Sequence, residues 1–98
     1  MMVTRFAAGQ IVATPGALSL LAAHHMTPST LLARHLCGDW GDALRSEDKA
    51  LNDAALGNGA RLLSAYRVGP QAIVWIITEA EDDQGQRAAT TLLLPEDY

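Results

Sequence analysis

The chain has 98 residues, of which 49% are apolar and 18% are charged, and its net charge is −4. Chains of roughly 100–150 residues usually fold around a single core, so one domain spanning residues 1–98 is expected. The apolar content excludes a disordered chain, and the acidic balance lacks the basic footprint of a nucleic-acid binder.

The first half of the chain predicts one strand followed by three helices. A short strand is expected within residues 6–13. Thr14-Pro15 and Thr27-Pro28 then mark two helix starts, because threonine caps free amides and proline loses no hydrogen bond at the first helical position. The second of these helices should end near Cys37. Ser46 is the expected N-cap of the third helix, which should run to about Leu56.

The second half of the chain predicts strands. Residues 61–68 alternate in character, Gly69-Pro70 makes a tight connection, and residues 72–78 are rich in β-branched side chains. An acidic loop over residues 79–86 precedes a last strand over residues 90–94. The order β-α-α-α-β-β-β predicts an α+β fold: an antiparallel meander sheet of three to four strands with three short helices packed on one face.

The strand over residues 72–78 is apolar on both faces. Ile73, Trp75 and Ile77 alternate with Val74 and Ile76. A strand exposed to water on one side should alternate with polar residues, so this strand is predicted to be central. Its second face is covered either by helices and loops of the chain itself or by another molecule.

Targeting signals are not evident. The apolar stretch after Arg5 is interrupted by Gly9, Gln10 and Thr14, whereas a signal peptide needs an unbroken apolar run. The longest strongly apolar segment, Ile73 to Ile77, is far shorter than a membrane span. A cytoplasmic location without membrane contact is therefore expected, and a single cysteine agrees with a reducing compartment.

Several polar side chains are candidates for metal binding or catalysis. His35, Cys37 and Asp39 do not match a recognised zinc spacing, so no metal or cofactor is expected. Cys37 is interpreted as a small buried hydrophobe. Asp39 and Asp42 bracket Trp40, but no phosphate-binding or nucleophile motif accompanies them. Asp39 is therefore also expected to accept from loop backbone amides, and Trp40 to pack the helical layer onto the sheet.

Three alternatives of different classes follow from these residues. The leading hypothesis is a binding module without enzymatic activity. The second is a small enzyme or metal-binding protein that uses His35, Asp39 and Asp42. The third is a DNA-binding accessory factor, in which the second helix would present Arg34 and His35 to the bases.

Several segments taken in order resemble a family of small proteins of bacteria, plasmids and phages, labelled "plasmid-related protein" or type I restriction endonuclease subunit. The acidic stretch up to Gln86 is longer than the compact turn of that family. The resemblance implies an origin in mobile elements and an inhibitor of a host defence system, of the anti-CRISPR or anti-restriction type. The segments that carry it are Ile11–Ala17, Arg34-His35, Gly38–Gly41, Asn52, Gly59, Arg61–Tyr66, Trp75–Ala80 and Thr90–Tyr98.

The predicted function is therefore protein binding, with a host defence complex as the partner that the resemblance suggests and a homodimer through the sheet as a further expectation. Aromatic and acidic side chains are the predicted contacts, because interfaces favour aromatic anchors and complementary charge. They are Asp39, Trp40, Tyr66, Trp75, Glu81, Asp82 and Asp83.

Overall fold

A computed structural model describes residues 3–98 and confirms the α+β fold. Among these residues no helix combines the length and the apolarity needed to cross a bilayer. The elements, in chain order, are β1 (Gln10–Ala13), α1 (Pro15–Ala23), α2 (Pro28–Leu36), α3 (Ser46–Asn58), β2 (Leu62–Gly69), β3 (Ala72–Thr78), β4 (Ala89–Leu93) and a C-terminal 3-10 turn (Pro95–Asp97).

The sheet has the strand order β1-β4-β3-β2. Strands β2, β3 and β4 form the predicted antiparallel meander, and β3 is internal as expected. The meander does not extend to β1, which pairs in parallel with β4. Three helices separate β1 from β2 in the chain, so nothing forces these two strands to be neighbours, and β1 takes the free edge beside β4.

All three helices pack on one side of the sheet, which we call the covered face. The even-numbered side chains of β2, β3 and β4 point to it, as do Ile11 and Ala13 of β1, because successive side chains of a strand alternate between faces. Its two apolar clusters contain Ala17, Leu21, Leu31, Tyr66, Val74, Ile76 and Leu92 in one, and Trp40, Ala55 and Leu62 in the other.

The helix boundaries follow local sequence signals. Thr14 caps α1, since its Oγ1 accepts a hydrogen bond from the Ala17 amide at 3.1 Å. Helix α2 begins at Pro28, as the second Thr-Pro pair predicts. Helix α3 ends where Gly59 takes a left-handed conformation with φ of 79°, a backbone state that favours glycine.

The loop between α2 and α3 closes the outer edge of β2. The Ala65 amide donates to the Trp40 carbonyl, and the Ala65 carbonyl accepts from the Ala43 amide. Gly41, with φ of 97°, lies directly against the Ala65 carbonyl, where a side chain would collide with the strand. The loop therefore acts as a partial fifth strand and fixes α2 and α3 relative to the sheet.

Candidate functional site

The side of the sheet opposite the helices, which we call the open face, is apolar at its centre. On β3 it presents Ile73, Trp75 and Ile77, which stand opposite residues of β2 and β4 on the same face. Ile73 and Trp75 are half-buried, although α1, α2 and α3 all pack on the other side of the sheet. The remaining members of the open face are Val12, Leu63, Ala65, Arg67, Thr91 and Leu93.

The C-terminal residue lies across part of the open face. The ring of Tyr98 packs edge-on against Trp75, with 5.9 Å between the ring centroids. Its hydroxyl accepts a hydrogen bond from Arg61 Nη1 at 2.6 Å. Tyr98 itself remains 72% exposed, so this cover is thin. Ile77 and Leu93 are nevertheless buried, and together with Tyr98 they line a cleft of about 330 Å³.

The charged side chains around the open face balance one another, although the chain as a whole is acidic. Arg67 is exposed opposite Ile73, and Arg61 lies beside Tyr98. Glu79 borders the same cleft as Arg61. Glu96 lines a second cleft with Ile73, so this surface carries two arginines and two glutamates, whereas the chain as a whole has a net charge of −4. The open face is an apolar patch whose two arginines, Arg61 and Arg67, lie on its β2 side.

Trp40 and Tyr66, both predicted as contact residues, lie in the core instead. Trp40 is 4% exposed, and its indole nitrogen donates to Asp53 Oδ1 at 2.9 Å. Tyr66 is fully buried, and its hydroxyl donates to the Asp39 carbonyl at 2.5 Å. Burial raises the pKa of Tyr66. Neither side chain has surface to offer a partner, because the even positions of β2 face the helices. Trp75 is the predicted aromatic contact that lies on the open face.

Asp39 and Asp42 serve the loop that closes the β2 edge. Arg34 Nε donates to Asp39 Oδ2 at 2.7 Å, and this hydrogen bond lowers the pKa of Asp39. Asp42 Oδ1 accepts from the Arg67 amide at 3.0 Å, which lowers the pKa of Asp42. Arg34 also stacks on the Tyr66 ring, 4.6 Å from its centroid. Arg34 is thus engaged within the fold rather than held free to contact DNA.

His35 lies at the centre of a buried polar chain on the covered face. Its Nδ1 is 2.5 Å from Ser64 Oγ, and its Nε2 is 2.8 Å from Thr78 Oγ1. Thr78 Oγ1 is in turn 2.8 Å from Thr90 Oγ1, which donates to the Ala8 carbonyl at 2.7 Å.

Thr90, the last residue of this buried polar chain, sets the direction of the hydrogen bonds between Thr90, Thr78 and His35. Thr90 donates its one hydroxyl proton to a carbonyl, so Thr78 must donate to Thr90 and His35 Nε2 must donate to Thr78. Because burial lowers the pKa of His35 to about 4, the other ring nitrogen is unprotonated and accepts from Ser64. His35 is a neutral imidazole with both nitrogens satisfied.

The pair formed by His35 and Ser64 is closed to a substrate. Ser64 and His35 have the spacing of a nucleophile and its base, but both are completely buried. Burial lowers the pKa of His35 to about 4, with a smaller contribution from the positive charge of Arg87. His35, Asp39 and Asp42 are not assembled into one site, and residues 3–98 contain no group of three or more His, Cys, Asp or Glu side chains placed to hold a metal ion.

The acidic loop is organised around its own backbone. Asp82 Oδ1 accepts from the amides of Gln84 and Gln86, both at 2.9 Å. Glu81 Oε2 lies 3.7 Å from Arg87 Nη2, while Asp83 is exposed. Glu81 and Asp82 thus maintain the loop conformation, which gives these predicted contacts a structural role.

Arg87 anchors the acidic loop to the end of α3. Its guanidinium is buried and donates to the carbonyls of Ala55, Ala60 and Glu79, at 2.8–3.1 Å. Arg87 also borders a cleft of about 430 Å³ between the loop and the N-terminal segment. The donors of Arg87 are used by the backbone, and the exposed Arg5 is the second basic residue that lines this cleft.

Sequence reasoning missed Ile73, Arg61 and Tyr98 as parts of one surface. The signal was present in the strand that is apolar on both faces, but it did not identify which face the helices would cover. Comparison of the chain with protein-family models, curated proteins and solved structures finds no match.

Proposed function

We propose that the protein is a binding module without enzymatic activity and that the open face is its contact surface for a protein partner. The observation that carries the proposal is the half-buried Trp75 at the centre of an apolar sheet face that lies opposite α1, α2 and α3. Contiguous exposed apolar surface on a small protein usually marks an interaction site, and tryptophan is a preferred anchor of such sites.

The partner surface is expected to be apolar at its centre and acidic at the margin that meets the β2 side. Ile73 and Trp75 supply the apolar contact, and Arg61 and Arg67 flank it on the β2 side. Complementary charge at a margin speeds encounter and fixes orientation more than it adds affinity. Arginine also favours carboxylates, because its planar group pairs with both oxygens.

The resemblance to small proteins of mobile elements directs the search for this partner to host defence complexes. Proteins that inhibit such complexes by binding them require a shaped surface rather than a catalytic centre. A net charge of −4 is low for imitation of DNA, so an inhibitor of this kind would act through the shape and apolarity of the open face.

Site-specific photo-crosslinking tests the proposal. Benzoylphenylalanine is placed at Ile73 on the open face or, as the control, at Leu51, which is 67% exposed on α3. Both proteins are irradiated in a lysate of the native host. We expect a discrete adduct from position 73 that is absent from position 51, and Arg67→Glu in the position-73 protein should weaken it.

Two outcomes would contradict the proposal. One is an adduct that forms equally well from Leu51, which would move the contact to the helical side of the molecule. The other is the absence of any adduct from Ile73 while the purified chain turns over a nucleotide or ester.

A further inference from the structure

The outer edge of β1 carries unpaired backbone groups. The Gln10 amide donates to the Ala88 carbonyl and the Thr14 amide to the Leu92 carbonyl, so even-numbered amides of this segment point toward β4. In an extended strand the backbone amides and carbonyls of the intervening residues point in the opposite direction, away from β4. The amides and carbonyls of Ile11 and Ala13 therefore face outward, and within residues 3–98 the structure pairs β1 with β4 alone.

The opposite edge of the sheet is closed. Asn52 bonds both backbone groups of Leu63, with its Nδ2 2.6 Å from the carbonyl and its Oδ1 3.1 Å from the amide. The loop between α2 and α3 forms hydrogen bonds with the amide and the carbonyl of Ala65, and Asp42 accepts from the Arg67 amide. Unpaired edges promote association between chains, and folded proteins usually cover them. This protein covers the β2 edge and leaves the β1 edge free.

The segment that forms the free edge is apolar and has no charged residue of its own, and at its end Thr14 donates to Asp97 Oδ2 at 2.7 Å. Ile11 is 53% exposed and Val12 is 42% exposed, and their side chains lie on opposite faces of the sheet. No Asp, Glu, Lys or Arg occurs between Arg5 and Arg34, so the whole segment from β1 through α1 lacks formal charge. Two copies of this segment can approach each other without repulsion between like charges.

We propose that β1 pairs with β1 of a second copy of this chain, in antiparallel orientation about a two-fold axis at Val12. In this register Ile11 of each copy exchanges two backbone hydrogen bonds with Ala13 of the other. All the outward groups identified above are then satisfied. The two valines on the axis form a non-hydrogen-bonded pair, whose Cα atoms lie about 4.5 Å apart.

This pairing joins the two four-stranded sheets into one and is limited to a dimer. A two-fold axis perpendicular to the sheet keeps the same faces together, so the helices of both copies lie on one side. Val12 shares its face with Thr91, and it therefore joins the two open faces into one larger surface. Further addition stops, because each outer edge is then a β2 edge closed by Asn52 and the loop.

The mass of the full chain in solution, measured by sedimentation over a concentration series reaching the millimolar range, tests the pairing. We expect reversible formation of a dimer. Ile11→Pro should abolish it, since proline removes an outward amide but no bond to β4. Ile11→Ala keeps that amide and should retain dimer formation with reduced affinity. Circular dichroism checks that both variants remain folded.

A disulfide trap tests the register and separates this pairing from association through the open face. In a Cys37→Ala background, Val12→Cys should give a disulfide-linked dimer under mild oxidation, because the expected Cα separation suits a disulfide. Trp75→Cys should give none. A monomer at every concentration, or trapping through position 75 instead of 12, would overturn the inference. The photo-crosslink from position 73 to a protein partner, which tests the proposed function, does not depend on either result.

Discussion

The two tryptophans of the chain lie on opposite sides of the sheet, and their surroundings differ. Trp40 is enclosed on the covered face, where Phe6 stacks on it and His35 meets it edge-on. Trp75 lies on the open face and meets one ring, that of the exposed Tyr98. The covered face stabilises the fold, and the open face is free for another function. Substitutions on the two faces should therefore differ in kind, the first affecting folding and the second affecting binding.

The largest difference is expected between two isoleucines of the same strand. Ile76 is fully buried on the covered face, and Ile73 is half-buried on the open face. Ile76→Ala should lower the free energy of unfolding by about 2–5 kcal/mol, because the substitution removes buried apolar surface and leaves a cavity. Ile73→Ala should cost about 1 kcal/mol, since less area is lost.

Denaturant titration of both alanine variants measures this difference. The comparison is matched because both substitutions occur in β3 and carry the same change in strand propensity. Equal losses at the two positions would mean that the open face is packed as firmly as the core, which contradicts the distinction between the faces.

The polar chain of the covered face should make stability depend on pH. The unfolded chain protonates His35 near its ordinary pKa of 6.5, whereas the folded protein holds it neutral down to about 4. The unfolded state therefore binds the proton first, and stability falls as the pH falls between these two values. The loss attributable to His35 is about 3 kcal/mol at pH 4.

Denaturant titration at pH 7 and pH 4.5, in the native protein and in His35→Asn, measures this contribution. The variant should be less stable at pH 7 because Ser64 and Thr78 lose a partner, but it should lose less stability on acidification. The carboxyl groups titrate in both proteins, so the difference between them isolates the histidine. Parallel pH dependences would show that His35 is not held neutral by the fold.

The smallest effect is expected at Tyr98, which covers the open face only in part. Tyr98→Ala removes the contacts with Trp75 and Arg61 but leaves the core intact. We expect a loss of less than about 1 kcal/mol, as is usual for exposed positions, together with increased binding of a hydrophobic dye. A large loss of stability would indicate that the C-terminal turn is part of the core.

Local signals predicted the elements, and long-range contacts decided the rest. The Thr-Pro pairs placed α1 and α2, and the apolar pattern of residues 72–78 predicted a central strand. The parallel position of β1 had no signal, because a strand of four residues carries too little pattern to select its neighbour.

The candidate site was predicted only in part for the same reason. Trp75 was identified as a contact from its strand. Tyr66 was predicted as a contact, and Trp40 both as a contact and as a residue that packs the helices onto the sheet, because aromatic composition alone does not reveal which face of a sheet the helices will cover. In the buried polar chain, His35 contacts Ser64 and Thr78, which follow it in the sequence by 29 and 43 positions. No local spacing indicates such contacts.

The most direct test of the difference between the two faces is the solvent access of the two tryptophans. The full chain is labelled with 5-fluorotryptophan, its two fluorine resonances are assigned with Trp75→Phe, and a soluble paramagnetic reagent is added. We expect the Trp75 resonance to broaden strongly while that of Trp40, which is 4% exposed, changes little. Equal protection of both resonances in the isolated monomer would contradict the existence of an open face.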